Sequence, residues 1–270
     1  GVQTCALPIS SVLFEVGLCV FLYLTVLFLE FSPAALEWLG WKKVRALVVK
    51  LTLVLTIFGV ILSTLHQSSL GALYLIAPSK LHPLWYSGYL PVYFFVSSIF
   101  AGMSMVIFES SLSHRFLHRK MDERHIRESH DVAFGFGKAA SFLMIGYLGI
   151  KLVGLAMDNT WQYLASAWGG WFLLELIGFV ALPAFLFAVA VRDKNLKLLR
   201  FTAVLSVLGL ILNRFNISLI AFNWHLPAAE RYFPSWMEIV LSIFIVTLGV
   251  AAYRFACIRM PILYDHPDYS

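Results

Sequence analysis

Seven segments of mostly apolar residues dominate this sequence, and each is about as long as the roughly 20-residue helix that crosses a bilayer. Only 13% of the residues are charged and the mean hydropathy is +0.81, whereas soluble domains carry about 25% charged residues. A soluble fold of this length could not bury so much apolar surface in one core. The sequence therefore predicts an all-α polytopic transmembrane helix bundle. Its predicted spans are about 12–30, 44–66, 90–110, 132–156, 168–191, 201–222 and 236–257.

Lysine and arginine residues alternate between the loops that connect these segments. They concentrate in 31–45, 111–131, 192–200 and the C-terminal tail, while the opposite loops hold only Lys80 and Arg231. Since cytoplasmic loops carry the excess of basic residues, we expect the C-terminus to be cytoplasmic in a bacterial inner membrane. This arrangement also accounts for the net charge of +5 without a nucleic-acid partner.

The predicted outer loops are rich in aromatic residues. Two readings stay open, an aromatic belt at the membrane interface and a docking surface for a partner. The aromatic residues concerned are Trp85, Tyr86, Tyr89, Trp161, Tyr163, Trp224, Tyr232 and Trp236.

The first nine residues, GVQTCALPI, resemble a translated sequencing adapter and are interpreted as an artefact. Residues 10–270 are predicted to form one transmembrane domain that is truncated at its N-terminus. Cys19 and Cys257 lie inside spans and no CxxC pair occurs, so no metal or iron–sulfur site is expected.

Ionisable residues inside the spans are the main functional candidates, because a charge near the bilayer centre costs about 2.5–3.5 kcal/mol on insertion scales. Glu15, His66, Glu175, Arg214 and Glu238 fall in the predicted outer half. Arg214 lies about 20 Å into its helix at 1.5 Å per residue. It needs a carboxylate or another polar partner, and Glu15 and Glu175 are the candidates. A purely structural ion pair is the alternative.

A second group lies in the predicted inner half. Glu109 and Lys138 have depths that would allow them to pair, and we interpret them as a possible proton path. Solvated helix ends would explain Glu109 equally well. Lys151, deep in the same span as Lys138, has no partner that the sequence can name.

His66 is the histidine placed most clearly inside a span, beside Gln67 and two serines. A membrane-bound haem b needs two axial histidines, and this sequence does not supply them within its spans. A neutral imidazole can instead exchange a proton or form a hydrogen bond with a quinone oxygen. We therefore expect His66 to contribute to a quinone site.

Three stretches carry a family resemblance: FEVGLCVFLYLTVLFLEFSP at 14–33, TLHQSSLGALYLIAPSKLHPLWYS at 64–87 and LPVYFFVSSIFAGMSMVIFES at 90–110. They resemble the NrfD/PsrC family of integral membrane subunits, in the branch of the HybB-type membrane subunit of hydrogenase-2. The resemblance implies a parent of about ten spans with no redox cofactor of its own. Such subunits react with menaquinone or ubiquinone near the outer face.

By this resemblance, Glu15, His66 and Arg214 are expected to bind quinone and transfer its protons, and Glu109 matches a carboxylate of the opposite side. The resemblance also implies partners: a periplasmic ferredoxin-like iron–sulfur subunit and catalytic subunits, with a nickel–iron hydrogenase as the first choice. The chain itself is expected to hold no catalytic residue. Alternatives are a subunit of another respiratory complex, of the polysulfide reductase or alternative complex III type, a transporter, or a passive anchor.

Overall fold

The computed structural model describes residues 11–117, 123–227 and 230–259, and these are almost entirely helical. Seven helical stretches are long and apolar enough to cross a membrane, so the predicted multi-pass α-helical membrane protein is confirmed. The α-helices are α1 (Val12–Trp38), α2 (Lys42–Leu73), α3 (Leu90–Leu117), α4 (Glu123–Met157), α5 (Ala167–Leu173), α6 (Leu182–Arg192), α7 (Leu196–Phe215) and α8 (Trp236–Arg259). Short 3₁₀ helices occur at Tyr74–Ile76 and Thr160–Ala165.

Several helices run beyond their predicted spans, because hydropathy detects only the apolar part of a helix. The largest difference is in the predicted basic loop 111–131. There α3 continues to Leu117 and α4 already begins at Glu123. The histidines of this region are therefore largely helical, and His118 lies outside the described residues.

The fifth span is interrupted, as the proline in it predicts. A π-helix, Leu174–Ala181, separates α5 from α6, and Pro183 follows at the start of α6. Proline has no N–H to donate to the carbonyl four residues earlier, which favours a wider hydrogen-bonding pattern just ahead of it. A second π-helix, Asn216–Ile220, continues α7. Single π-helical turns are rare and often mark functional sites.

The chain divides into two compact units. The first, called unit 1, consists of residues up to Gly17, Thr64–His118 and Glu123–Arg231. Its core contains large buried side chains such as Trp85, Phe172 and Phe187. Small residues allow its helices to approach closely. A Cβ on Gly209 of α7 would come within 2.7 Å of the Phe179 Cβ in the first π-helix.

Three connecting loops of unit 1 meet at one end of the unit, which we call the aromatic end. They are residues 77–89, 158–166 and 221–227. The Leu81 and Phe222 backbones form an isolated β-bridge, and the Asn223 N–H donates to the Lys80 carbonyl at 2.6 Å. The predicted belt residue Trp85 belongs instead to the interior, with no exposed surface. Trp161, by contrast, is 45% exposed, as an interfacial position requires.

Unit 2 contains Leu18–Ser63 and the chain from Tyr232 onward. In it, α1 and α2 form a hairpin whose turn includes Gly40 at φ +75°. A salt bridge of 2.9 Å from the Arg45 Nε to the Glu37 Oε2 closes the hairpin.

Further along the same hairpin, the Thr56 hydroxyl donates to the Glu30 Oε1 at 2.7 Å. This pair gives Glu30 a hydrogen-bond partner within the unit.

Glu238, counted above among the membrane ionisable groups, caps the start of α8. Its carboxylate accepts from the Ser235 N–H at 2.6 Å, while its own N–H donates to the Ser235 hydroxyl at 3.4 Å. This reciprocal pair is a capping box. Glu238 therefore has a local structural role.

Candidate functional site

A buried carboxylate is the centre of the polar network in unit 1. Glu175, in the first π-helix, is 5% exposed. Its oxygens accept from the Trp85 Nε1 at 2.8 Å and the Asn213 Nδ2 at 2.6 Å, and also from the Asn216 amide. All three partners donate N–H groups to Glu175. An ionised carboxylate can only accept hydrogen bonds, so it requires donors of this kind when it is buried. The Asn216 Oδ1 in turn accepts from the Trp171 Nε1 at 3.0 Å.

Arg214 adjoins this carboxylate through Asn213. Its Nη1 donates to the Asn213 Oδ1 at 2.8 Å, and its Nη2 donates to the Ser97 hydroxyl at 2.8 Å and reaches the Gln67 Oε1 at 3.5 Å. The guanidinium carbon lies 3.7 Å from the centre of the Phe94 ring. Within the described residues Arg214 forms no direct salt bridge, so the expected partnership with Glu175 runs through the shared amide.

One turn of α2 connects the three residues proposed from the sequence. Gln67 contacts Arg214, and the Ser69 hydroxyl donates to the Glu15 Oε1 at 2.7 Å. His66 precedes them, and its Nδ1 is buried with no hydrogen-bond partner among the described residues. Glu15 itself is exposed. All of these residues belong to unit 1.

A sequence model of the family described as "Polysulphide reductase, NrfD" matches residues 4–226. The chain belongs to the NrfD family. The match begins inside the segment interpreted above as an adapter artefact, and that interpretation stays a prediction.

Three proteins are similar in sequence to this NrfD-family chain. A protein of Nitratidesulfovibrio vulgaris (strain Hildenborough) is 65% identical over 261 residues, covering 97% of this chain and 67% of the relative. The "Probable Ni/Fe-hydrogenase 2 b-type cytochrome subunit" of Escherichia coli K12 is 31% identical over 260 residues, with shares of 94% and 64%. The "Menaquinone reductase, integral membrane subunit" of N. vulgaris is 26% identical over 284 residues, with shares of 94% and 65%.

The chain thus spans about two thirds of the length of these relatives. No solved structure matches it. The resemblance to the HybB-type branch is confirmed by the hydrogenase-2 relative. Among the residues that the structure describes, no group of three or more histidine, cysteine or carboxylate side chains is placed to hold a metal ion.

The second predicted pair of the NrfD-family chain is not brought together. Glu109 accepts from the Ser113 hydroxyl at 2.7 Å on the exposed side of α3. Lys138 is exposed on α4, and the described part of the chain contains no salt bridge between the two. Their similar depth does not place them on facing sides of their helices. The proton path through them stays a prediction.

Three uncharged residues of unit 1 were not predicted as site residues, although Gln67 was noted beside His66, and Trp85 among the loop aromatics. Ser97, Trp85 and Gln67 carry no charge, yet they hold the charged residues in place. The signal that pointed to Asn213 and Asn216 was their position on either side of Arg214 in LNRFN.

His82 was also missed, and it lies at the aromatic end. The residue is 2% exposed, and its ring contacts Trp85, Tyr163, Trp168 and Trp224 with centroid distances of 4.8–5.7 Å. Its Nδ1 accepts from the Leu84 N–H at 3.2 Å. Burial lowers the pKa of His82 from 6.5 to about 4. The folded loops therefore hold this histidine in its neutral form at physiological pH.

The pKa shift predicts a pH-dependent opening of the loop around His82. An imidazole whose folded pKa lies below its unfolded pKa contributes stability above pH 6.5, and this is lost as the pH falls toward 4. We expect the hydrogen-exchange protection factors of residues 77–89, which are corrected for the intrinsic pH dependence of amide exchange, to fall between pH 7 and pH 5. A His82→Asn variant keeps an acceptor for the Leu84 N–H but cannot titrate. An unchanged pH dependence in this variant would assign the effect to another group.

Proposed function

We propose that this chain is a quinone-reactive integral membrane subunit of a respiratory oxidoreductase. It exchanges electrons with a periplasmic ferredoxin-like iron–sulfur subunit, and a nickel–iron hydrogenase is the first candidate for the catalytic partner. The names of two relatives, a hydrogenase-2 subunit and a menaquinone reductase subunit, support this proposal. Menaquinone or ubiquinone is the substrate, in a bacterial inner membrane with the C-terminus in the cytoplasm.

The main support is a buried imidazole nitrogen that has no partner among the described residues, one position along the chain from a side chain that contacts the half-buried guanidinium of Arg214. The His66 Nδ1 is buried without a partner in the described part of the chain. The next residue, Gln67, contacts Arg214. A quinone carbonyl accepts hydrogen bonds, which a guanidinium donates, and a hydroquinone hydroxyl donates one, which an imidazole nitrogen accepts. The two groups thus offer complementary ligands for both redox states.

Proton transfer is the second requirement of this chemistry. Reduction of a quinone takes up two electrons and two protons, so titratable groups must lie at the site. His66 and the Glu15 carboxylate, held by Ser69, have suitable chemistry. A passive anchor would gain nothing from burying Glu175 and half-burying Arg214, since charged groups are costly inside a membrane.

Binding of a quinol analogue tests the proposal. A hydroxyquinoline N-oxide would be titrated against the complete chain in its native complex, and we expect Glu15→Gln and His66→Leu each to weaken binding about tenfold, or about 1.4 kcal/mol. The glutamine still accepts from Ser69, so only the charge is lost. The leucine removes an imidazole whose Nδ1 has no hydrogen-bond partner among the described residues, so little folding stability should be lost there.

The chain offers a matched control in unit 2. Glu30 also lies in α1 and accepts from a hydroxyl of α2, Thr56, at 2.7 Å, the same distance as between Glu15 and Ser69. Glu30→Gln should leave binding within about twofold of the unaltered protein. Equal affinities in all variants, or no binding by the unaltered complex, would reject the quinone site and favour the anchor or transporter alternative.

A further inference from the structure

Lys151 is a buried cation apart from the residues proposed to bind quinone. It lies in α4 and is 5% exposed. Its Nζ is 4.5 Å from the ring centre of Tyr93, 5.7 Å from that of Phe172 and 5.9 Å from that of Tyr147. We call these three rings the aromatic cage. Ring faces attract a cation, but no hydrogen bond or salt bridge to Lys151 occurs among the described residues.

The charges around Lys151 do not balance. Glu175 has three N–H donors directed at it, and it contacts the same amide, Asn213, as Arg214 does. An arginine does not lose its proton in proteins. One carboxylate and one guanidinium neutralise each other, so an ammonium at Lys151 is an additional buried positive charge.

A lysine can remove this excess charge in a way that an arginine cannot. A buried ammonium without a counter-ion is unfavourable, and a lysine amine readily takes part in proton exchange when it is buried. Among the three charged residues of the cluster, Lys151 is therefore the one suited to gain and lose a proton.

A small cavity lies beside Tyr147 of the aromatic cage. Tyr147, one ring of the cage, lines it together with Glu175, Asn213 and Ser97, and its interior volume of about 10 Å³ is on the order of one water molecule. Ser97 is also the residue that accepts from the Arg214 Nη2. The cavity thus shares Tyr147 with the cage, and it shares Ser97 with the hydrogen bonds of Arg214.

Other titratable groups connect the cage to the end of α4. The Tyr89 ring centre lies 6.3 Å from that of Tyr93, and the Tyr89 hydroxyl contacts the Met157 sulfur at 3.1 Å, one residue before the exposed Asp158. Asp158 lies seven residues after Lys151, so it comes back to the same side of the helix about 10 Å further along, at 1.5 Å per residue. Its N–H donates to the Gly154 carbonyl at 2.9 Å, which continues the last helical turn.

We propose that Lys151 is a proton-exchanging residue of the quinone reaction; this rests on the proposed function. During reduction, two electrons arrive from the iron–sulfur partner and the quinone takes up two protons. For one of them, an N–H bond of the Lys151 ammonium breaks and its proton moves through the cavity to form a quinol O–H bond. The neutral amine then regains a proton from the Asp158 end of α4. Quinol oxidation reverses each step.

Two variants of Lys151 separate proton exchange from a structural charge. Lys151→Arg keeps the cation and its attraction to the cage but cannot release a proton. Lys151→Met removes the charge and retains much of the side-chain volume. In the complete complex, both should bind the quinol analogue within about twofold of the unaltered protein and lose at least tenfold in quinone turnover. The alkaline decline of turnover in the unaltered complex should be absent from Lys151→Met.

Lys50→Met, a change at an exposed lysine of α2, is the control and should keep full turnover. Unaltered turnover in either Lys151 variant would overturn the assignment. Loss of analogue binding in both would also overturn it, since Lys151 would then maintain the site rather than exchange a proton. If the unaltered complex neither binds the analogue nor reduces quinone, the proposed function itself is wrong. If the unaltered complex binds the analogue and reduces quinone, and the Lys151 variants do so equally well, only the role of Lys151 is wrong.

Discussion

Glu175→Ala is expected to destabilise the folded protein by about 3–5 kcal/mol, the usual cost of removing one partner from a buried charged network. The carboxylate accepts from Trp85, Asn213 and Asn216. Its removal leaves these N–H donors without their acceptor in the interior of unit 1, and it leaves the positive charge of Arg214 uncompensated. Both effects act on the folded state, because the donors can find water when the chain unfolds.

The measurement is the thermal unfolding of the complete chain in detergent, followed by the loss of monodisperse protein. Glu175→Gln should fall between the alanine variant and the unaltered protein, since its amide oxygen still accepts but its NH2 group faces other donors. A double variant, Glu175→Gln with Arg214→Gln, should be less destabilised than the sum of the single changes. Additive effects would mean that the two residues are not coupled through Asn213.

Glu238→Gln is a suitable control for an acidic residue near the membrane. Its carboxylate caps α8 from an exposed position and accepts from Ser235 and Tyr232. The amide oxygen of a glutamine can replace one of these bonds, and an N-terminal cap contributes only about 0.5–2 kcal/mol. A loss as large as that of Glu175→Ala would show that burial is not what distinguishes the two residues.

The sequence predicted the spans well because one physical quantity determines them. Each span must cover the hydrocarbon thickness with apolar side chains, so composition along the chain is sufficient to find it. The depth of a residue follows from counting residues along its span at 1.5 Å each. This count identified Arg214 as a membrane-buried cation that requires a partner. Pro183 likewise reports directly on the backbone, since its missing N–H interrupts the helix.

The partners could not be predicted in the same way. Depth says nothing about which side of a helix a residue occupies, and the Glu109–Lys138 pair depended on depth alone. Trp85 was interpreted, like the other loop aromatics, as part of an interfacial belt or of a docking surface, because it lies in a loop. The loop folds back into unit 1, however, and its indole donates to Glu175. A buried role for an aromatic loop residue depends on long-range contacts that no local pattern contains.

Lys151 is another residue whose neighbours could not be predicted from the sequence. The sequence placed it deep in a span and could name no carboxylate for it, and in the structure its Nζ lies 4.5–5.9 Å from the ring centres of Tyr93, Phe172 and Tyr147. Aromatic residues are so frequent in this chain, at 16% of the sequence, that none of them could be singled out as its neighbour in advance.

Arg214→Lys is expected to reduce quinone turnover about 100-fold even though it keeps the positive charge. The guanidinium donates to Asn213 and Ser97 at once and reaches Gln67, and its carbon lies 3.7 Å from the centre of the Phe94 ring. A lysine ammonium is a compact charge that cannot copy this planar fork. Removal of one preorganised donor from a reacting oxygen costs about 10²–10³ in rate. We therefore expect kcat to fall, and analogue binding to weaken by less.

Arg231 supplies the matched control, because it also lies beside an aromatic ring and donates to two oxygens. Its guanidinium carbon is 5.7 Å from the Trp168 ring centre, and its nitrogens donate to the Trp224 and Leu226 carbonyls at 2.6 and 2.9 Å. Arg231→Lys should leave analogue affinity within about twofold. If Arg214→Lys also left affinity and turnover unchanged, a positive charge at that depth would be sufficient. The hydrogen bonds by which the Arg214 guanidinium joins α2, α3 and α7 would then stabilise the fold rather than bind quinone.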